Sequence, residues 1–147
     1  MSLYQDIESQ LKDAMRAQAK DRLMALRNIK SLLKNKAIDA KRDLTDAEVI
    51  QALSTLAKQR KESIEAFQNG GRQDLVEKEA AELKIIEEFL PQQLSAEDLE
   101  KIIREAIAET QAQGAKEMGK VMKAVQPKVM GRADGKLVSE LVKKLLG

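Results

Sequence analysis

The chain contains no histidine and no cysteine. That absence removes a disulfide, a Cys/His zinc site, a Cys–His nucleophile and a Ser–His–Asp triad, which together cover most ordinary catalytic constellations. Aromatic side chains are limited to Tyr4, Phe67 and Phe89. Both phenylalanines fall where apolar periodicity asks for core, so a platform for stacking bases is missing, and any nucleic acid would be recognised by shape and phosphate. Two prolines and seven glycines leave little material for linkers or disordered tracts. No apolar run approaches the roughly 20 residues that cross a bilayer, so no membrane partner is expected. Near the amino end stand Asp6 and Glu8, where a signal or transit peptide avoids acid, and the expectation is a cytoplasmic protein.

What is present suits a soluble helical protein: 147 residues, 43% hydrophobic and 34% charged, enough for one domain or two small helical subdomains. Net charge is only +2, but it is unevenly placed. Residues 12–42 hold ten Lys/Arg against Asp13, Asp21 and Asp39, and residues 113–136 hold six against Glu117 and Asp134. Residues 74–88 reverse the sign, with six carboxylates against Lys78 and Lys84. Such segregation steers anionic ligands, or simply marks solvated helix faces.

Apolar residues recur at helical spacing almost everywhere. Leu3, Ile7 and Leu11 follow a Ser2…Gln5 capping box, and Leu23, Leu26, Ile29 and Leu33 continue the pattern as a second helix or as one bent helix. Thr45-Asp46-Ala47-Glu48 opens a third helix over about 45–68, stopped by Asn69-Gly70-Gly71. A fourth runs from Leu75 to Leu90, where Pro91 ends it. Leu90 to Leu94 reads as a short hinge. Ser95 then starts a helix lasting until Gly114, followed by one that ends or kinks near Pro127. The last begins around Asp134-Gly135, with Leu137, Val138, Leu141, Val142, Leu145 and Leu146 inward. The expected fold is all-α: a four-helix N-terminal part, residues 1–91, and a small three-helix C-terminal bundle, residues 92–147.

The stretch from Lys116 to Lys136 carries the strongest functional signal. Read as a helix, Met118, Val121, Met122, Val125 and Val129 share one arc while Lys116, Lys120 and Lys123 share the opposite one. Gly119 beside the lysines costs roughly 1 kcal/mol of helix propensity relative to alanine. It marks either close approach of a phosphate or another backbone, or a frayed first turn. Gly131-Arg132-Ala133-Asp134-Gly135-Lys136 superficially resembles a phosphate-binding loop, but the glycine spacing is wrong and Leu137 stands where Ser/Thr would hold magnesium. Asp134 fits an N-cap, with Gly131 and Gly135 easing a tight turn and Arg132 and Lys136 projecting beside a helix amino end that attracts phosphate; the segment is either a purely structural turn or an anion-binding one. Two further basic groups, Lys58-Gln59-Arg60-Lys61 and Arg27/Lys30/Lys34, fit pairing with neighbouring carboxylates better than RNA contact. Glu87-Glu88 and Glu77/Glu79 do not converge on one point, so neither catalytic residues nor a metal or cofactor site is assigned.

Six stretches together resemble the YqeY family over nearly the whole chain: Asp13-Ala14-Met15, Leu26 to Lys30, Lys58 to Ile64, Gly71 to Leu75, Phe89 to Leu94, and Met118 to Met122 with Gly131 to Lys136. The C-terminal part is also similar to the tail domain of the B subunit of tRNA-dependent amidotransferases, and to modules appended to some glutaminyl-tRNA synthetases. In those proteins the tail helps hold tRNA. The resemblance implies a two-part helical fold and a family label of carbon–nitrogen ligation with glutamine as amido-N-donor. It brings only the tail, without the separate catalytic portion. The expected function is therefore a non-catalytic tRNA-binding accessory module. In it Lys116, Lys120, Lys123, Lys128, Arg132 and Lys136 meet phosphates, and Gly119 and Gly131 permit close approach. The alternative is a helical protein–protein adaptor docking on a synthetase or amidotransferase; an enzyme acting alone is a third reading.

Overall fold

Capping side chains decide where several of the helices begin. In the computed structural model, which describes residues 2–147, Ser2 and Gln5 form a reciprocal box at the start of α1 (Leu3–Arg16), with bonds of 3.0 and 3.1 Å. A left-handed Gln18 (φ 54°) separates α1 from α2 (Lys20–Ala40), so the open question of one bent helix or two resolves as two. α2 closes on Lys41, also left-handed. α3 (Asp46–Asn69) starts on a Thr45/Glu48 box and stops at Gly70-Gly71, where Gly71 takes φ 71°. α4 (Gln73–Glu87) leads into Pro91.

These four helices form one unit, Met1–Leu90. Its core joins Ile7, Leu11 and Ala14 of α1 to Leu26, Ile29 and Leu33 of α2, with Val49 and Leu53 of α3 and Ile86 and Phe89 at the end of α4. Phe89 is buried, as its periodicity demands, while Phe67 is only half-buried.

The second unit, Pro91–Gly147, contains α5 (Ala96–Thr110), α6 (Met118–Val129) and α7 (Gly135–Leu146), with a 3-10 turn at Ala115–Glu117 ahead of α6. Leu99, Ile103 and Ala106 of α5 close over Val121, Val125 and Val129 of α6 and Val138 and Val142 of α7. α6 runs through Pro127, whose missing N–H leaves one bond out of the ladder, and ends at Val129, after which Met130 leaves helical geometry at ψ 124°. Leu137, expected inward, is half exposed; the buried line of α7 runs through Val138 and Val142, which leaves the residue preceding Val138 outside. Among the described residues there is no strand, and no helix is long and apolar enough to cross a membrane.

One ionic clamp reinforces the start of α3. Arg42 reaches both oxygens of Glu48 at 2.7 and 3.0 Å, and the Thr45 N–H adds a third donor. Chiefly through the Arg42 hydrogen bond, the Glu48 carboxyl is lowered to about 2. Its stabilising contribution is therefore complete above the ordinary carboxylate range and disappears as pH falls through about 2. In denaturant titrations from pH 6 to pH 2, Glu48→Gln should lose less stability on acidification than the parent chain. Thr45→Ala should lower stability at neutral pH by about 1 kcal/mol.

Candidate nucleic-acid interface

Valine burial aims the cations of α6. With Val121, Val125 and Val129 held inward, Lys120 and Lys123 stand exposed on the opposite side, one helical turn apart. Lys116 is also exposed, but it lies in the 3-10 turn before α6 and so does not continue the same helical face. Lys136 is exposed in the first turn of α7. Among the described residues, no carboxylate oxygen lies within 4.0 Å of the ammonium of Lys116, Lys120, Lys123 or Lys136. Lys128 differs: it sits toward α5 and meets Glu109 at 3.6 Å in a solvent-exposed pair of small energetic weight. The six cations thus do not form one pocket. They border α6, about 18 Å long at 1.5 Å per residue, with Lys116, Lys120 and Lys123 near its start and Lys128, Arg132 and Lys136 near or beyond its end.

The loop between α6 and α7 is built differently from the expectation. Gly131 is buried with φ 75°, and its carbonyl accepts from Gln93 Nε2 at 2.9 Å. The left-handed backbone bears out the turn expected of Gly131 and accounts for the glycine by itself. Arg132 turns its Nε onto the Gln92 carbonyl at 3.2 Å, and its own carbonyl accepts from the Leu94 N–H at 2.8 Å. Residues 92–94, expected as a hinge, are consequently tied to the α6–α7 loop by three hydrogen bonds. Gln93 is the residue sequence reasoning missed; its only signal was the company of two glutamines beside Pro91. Asp134 caps α7 by accepting from the Lys136 N–H at 3.2 Å.

The helix starts of this unit differ in kind. α5 has Ser95 as cap and Glu97 and Asp98 in its first turn, the arrangement that the helix dipole favours. α6 has no capping side chain, no acid in its first turn, Gly119 second and Lys120 third. α7 keeps its cap but opens Gly135-Lys136. A Cβ built on Gly119 would meet nothing within 4 Å, so internal packing gives no reason for that glycine.

Elsewhere the basic groups divide. Arg60 bridges Glu79 at 3.1 Å and Glu82 at 3.2 Å between α3 and α4, partly buried, and Lys30 meets Glu8 at 3.3 Å. Arg27 and Lys34 have no such partner among the described residues. No group of three or more Asp/Glu among these residues is placed to hold a metal ion.

Comparison with known proteins adds a family. The description "Yqey-like protein" matches residues 4–146. A relative from Pyrenophora tritici-repentis, named altered inheritance of mitochondria protein 41, mitochondrial, is 30% identical over 96% of this chain and 79% of its own length. Proteins of the same name from Kluyveromyces lactis and Lachancea thermotolerans are 42% and 41% identical over 56% and 59% of this chain. The matched stretches span only 45% and 47% of those two proteins. These names overturn the cytoplasmic expectation, since the relatives are called mitochondrial. Asp6, on which that expectation leaned, lies in the first turn of α1, where an acid favours the helix dipole and reports nothing about compartment.

The two glycines should separate on substitution. Gly119→Ala is expected to raise stability by about 0.5–1 kcal/mol, since the site is open and helical. Gly131→Ala should lower it by about 1–2 kcal/mol through its left-handed backbone. Thermal and denaturant melts of both variants check this pair.

Proposed function

The chain belongs to the Yqey-like protein family, and we propose that it is a non-catalytic tRNA-binding accessory module whose C-terminal unit engages the phosphate backbone. The observation that carries this reading is the set of exposed lysines without carboxylate partners: Lys116, Lys120, Lys123 and Lys136. Lys128 and Arg132 join them once phosphate competes with Glu109 for the first and with the Gln92 carbonyl for the second. Cations spread along a helix of about 18 Å suit an extended polyanion better than a single small phosphate, which would need convergent donors. Lys120 and Lys136 stand in the first turns of α6 and α7, where Glu117 and Asp134 occupy the N-cap positions beside them. The likeness of this unit to the amidotransferase B-subunit tail supplies tRNA as the class of RNA. In this role the chain serves glutamine-dependent amide transfer, or another step on charged tRNA, by holding the RNA while chemistry is done elsewhere.

Titrating labelled tRNA with the full chain tests the proposal. With four to six phosphates engaged, the logarithm of affinity should fall against the logarithm of salt with a slope of roughly −3 to −5. Lys120→Ala with Lys123→Ala should weaken binding about tenfold near 0.1 M salt, at a nearly unchanged melting temperature. Salt-independent binding, or equal affinity in the double variant, would sink the proposal.

A further inference from the structure

α2 buries Ala25, Leu26, Ile29 and Leu33 and turns a second, regular face to solvent. Along that face Lys20, Met24, Arg27, Ser31, Lys34 and Ile38 follow one another at alternating spacings of four and three. The cations recur every seventh residue, about 10.5 Å apart along the axis, and Met24, Ser31 and Ile38 recur with the same period between them. Met24 is 57% and Ile38 62% exposed, the two highest exposures among the large hydrophobic side chains of the described residues. Lys20, Arg27 and Lys34 have no carboxylate within 4.0 Å among the described residues, although Lys30 and Arg22, off the stripe, are paired with Glu8 and Glu88. At its carboxy-terminal half the stripe borders an open cleft of about 750 Å³ against α1, where Tyr4, Leu33, Ile38 and Leu44 give the apolar lining and Lys34, Lys41 and Arg42 outnumber Glu8 and Asp43.

We propose that this face docks an acidic amphipathic α-helix of a partner protein. Its carboxylates would recur every seventh residue opposite Lys20, Arg27 and Lys34, and one large apolar side chain would enter the cleft beside Ile38. Charge complementarity decides the occupant. A second copy packed through the same face would set cation against cation, which is destabilising. Phosphate backbone would satisfy the cations but press charge against Met24 and Ile38, with no apolar return. A lipid surface needs a whole apolar helix face, and that face of α2 is already in the core. A heptad of acid and hydrophobe matches both the period and the sign, and the cleft supplies an anchor pocket of the kind that concentrates binding energy.

The test uses the full chain and a series of labelled 21-residue helical peptides. Each carries Glu at every seventh position and a varied large apolar residue four positions later; controls carry Lys in place of Glu. Anisotropy should show the acidic peptides binding at least tenfold more tightly than the lysine controls. Arg27→Glu with Lys34→Glu should abolish that preference, and Ile38→Asn alone should weaken the best peptide about tenfold while the helical melt stays in place. Equal binding of acidic and basic peptides, or indifference to the charge reversal, would overturn the proposal. So would loss of tRNA or of phosphatidylglycerol-vesicle binding in the reversed variant with peptide binding intact. The Lys120/Lys123 double variant should bind the peptides normally, which keeps failure here distinct from failure of the tRNA reading.

Discussion

Burial of three valines on one side of α6 is the constraint from which the C-terminal unit follows. Val121, Val125 and Val129 lie one turn apart, each fully or almost fully enclosed by α5 and α7. Burying a valine stabilises by roughly 1.5–3 kcal/mol, far more than any exposed ion pair could return. Rotating α6 by even a third of a turn to pair its lysines would expose that row. The orientation of Lys120 and Lys123 is thus a by-product of packing, and their lack of carboxylate partners depends on what the neighbouring helices do not offer. α5 brings Glu109 within reach of Lys128 at the edge of the seam, yet nothing similar reaches the outer face.

The helical plan was legible because its signals are local. Ser2, Thr45 and Ser95 announce helix starts through their side chains, and the 3.6-residue apolar rhythm alone names Ile29, Leu53, Ile103 and Val125 as core. In the α6–α7 loop the Asp134 cap and the turn at Gly131 were legible, but its ties to residues 92–94 were not, because they span about forty residues of sequence. Gln93 to Gly131 and Leu94 to Arg132 are bonds between a side chain or N–H of one stretch and carbonyls of another, and no spacing rule encodes them. Whether the turn alone accounts for Gly131 was not legible either: a glycine in a basic loop reads equally well as ligand clearance or as a left-handed turn, and only its burial and φ decide.

Ion pairing sorts the chain's many cations more sharply than composition does. Arg60 is held between Glu79 and Glu82 in a partly buried arrangement, where removing the cation would leave two carboxylates facing each other. Arg42 is committed to the α3 start. Among the residues singled out, the unpaired cations lie on α2, on α6 with its flanking turns, and at Lys58 and Lys61 of α3, and the first two sets form regular rows. The two differ in character: the α2 face alternates cation with exposed Met24 and Ile38, whereas beside Lys120 and Lys123 on α6 itself stand Gly119 and Pro127, and the exposed hydrophobe of that unit is Leu137 on α7. A polyanion asks for the second surface and an amphipathic helix for the first.

The start of α6 shows where stability has been given up. A capping side chain there would contribute about 1 kcal/mol, alanine for Gly119 up to about another, and an acid for Lys120 a further 0.3–1 kcal/mol through the dipole. α1, α3 and α5 of this same chain carry an acid in the first turn and a Ser or Thr cap, so the sequence has no general aversion to either. The preceding 3-10 turn takes the Met118 N–H on the Ala115 carbonyl and Glu117 stands at the N-cap position, but Gly119 has no packing reason and Lys120 no carboxylate partner, a pattern expected where a surface is selected for something outside the fold. A cation next to the positive end of a helix is a poor choice for a free helix and a good one for a helix that spends its working life against an anion. That inversion is the physical link between the weakness of α6 and the function proposed for it.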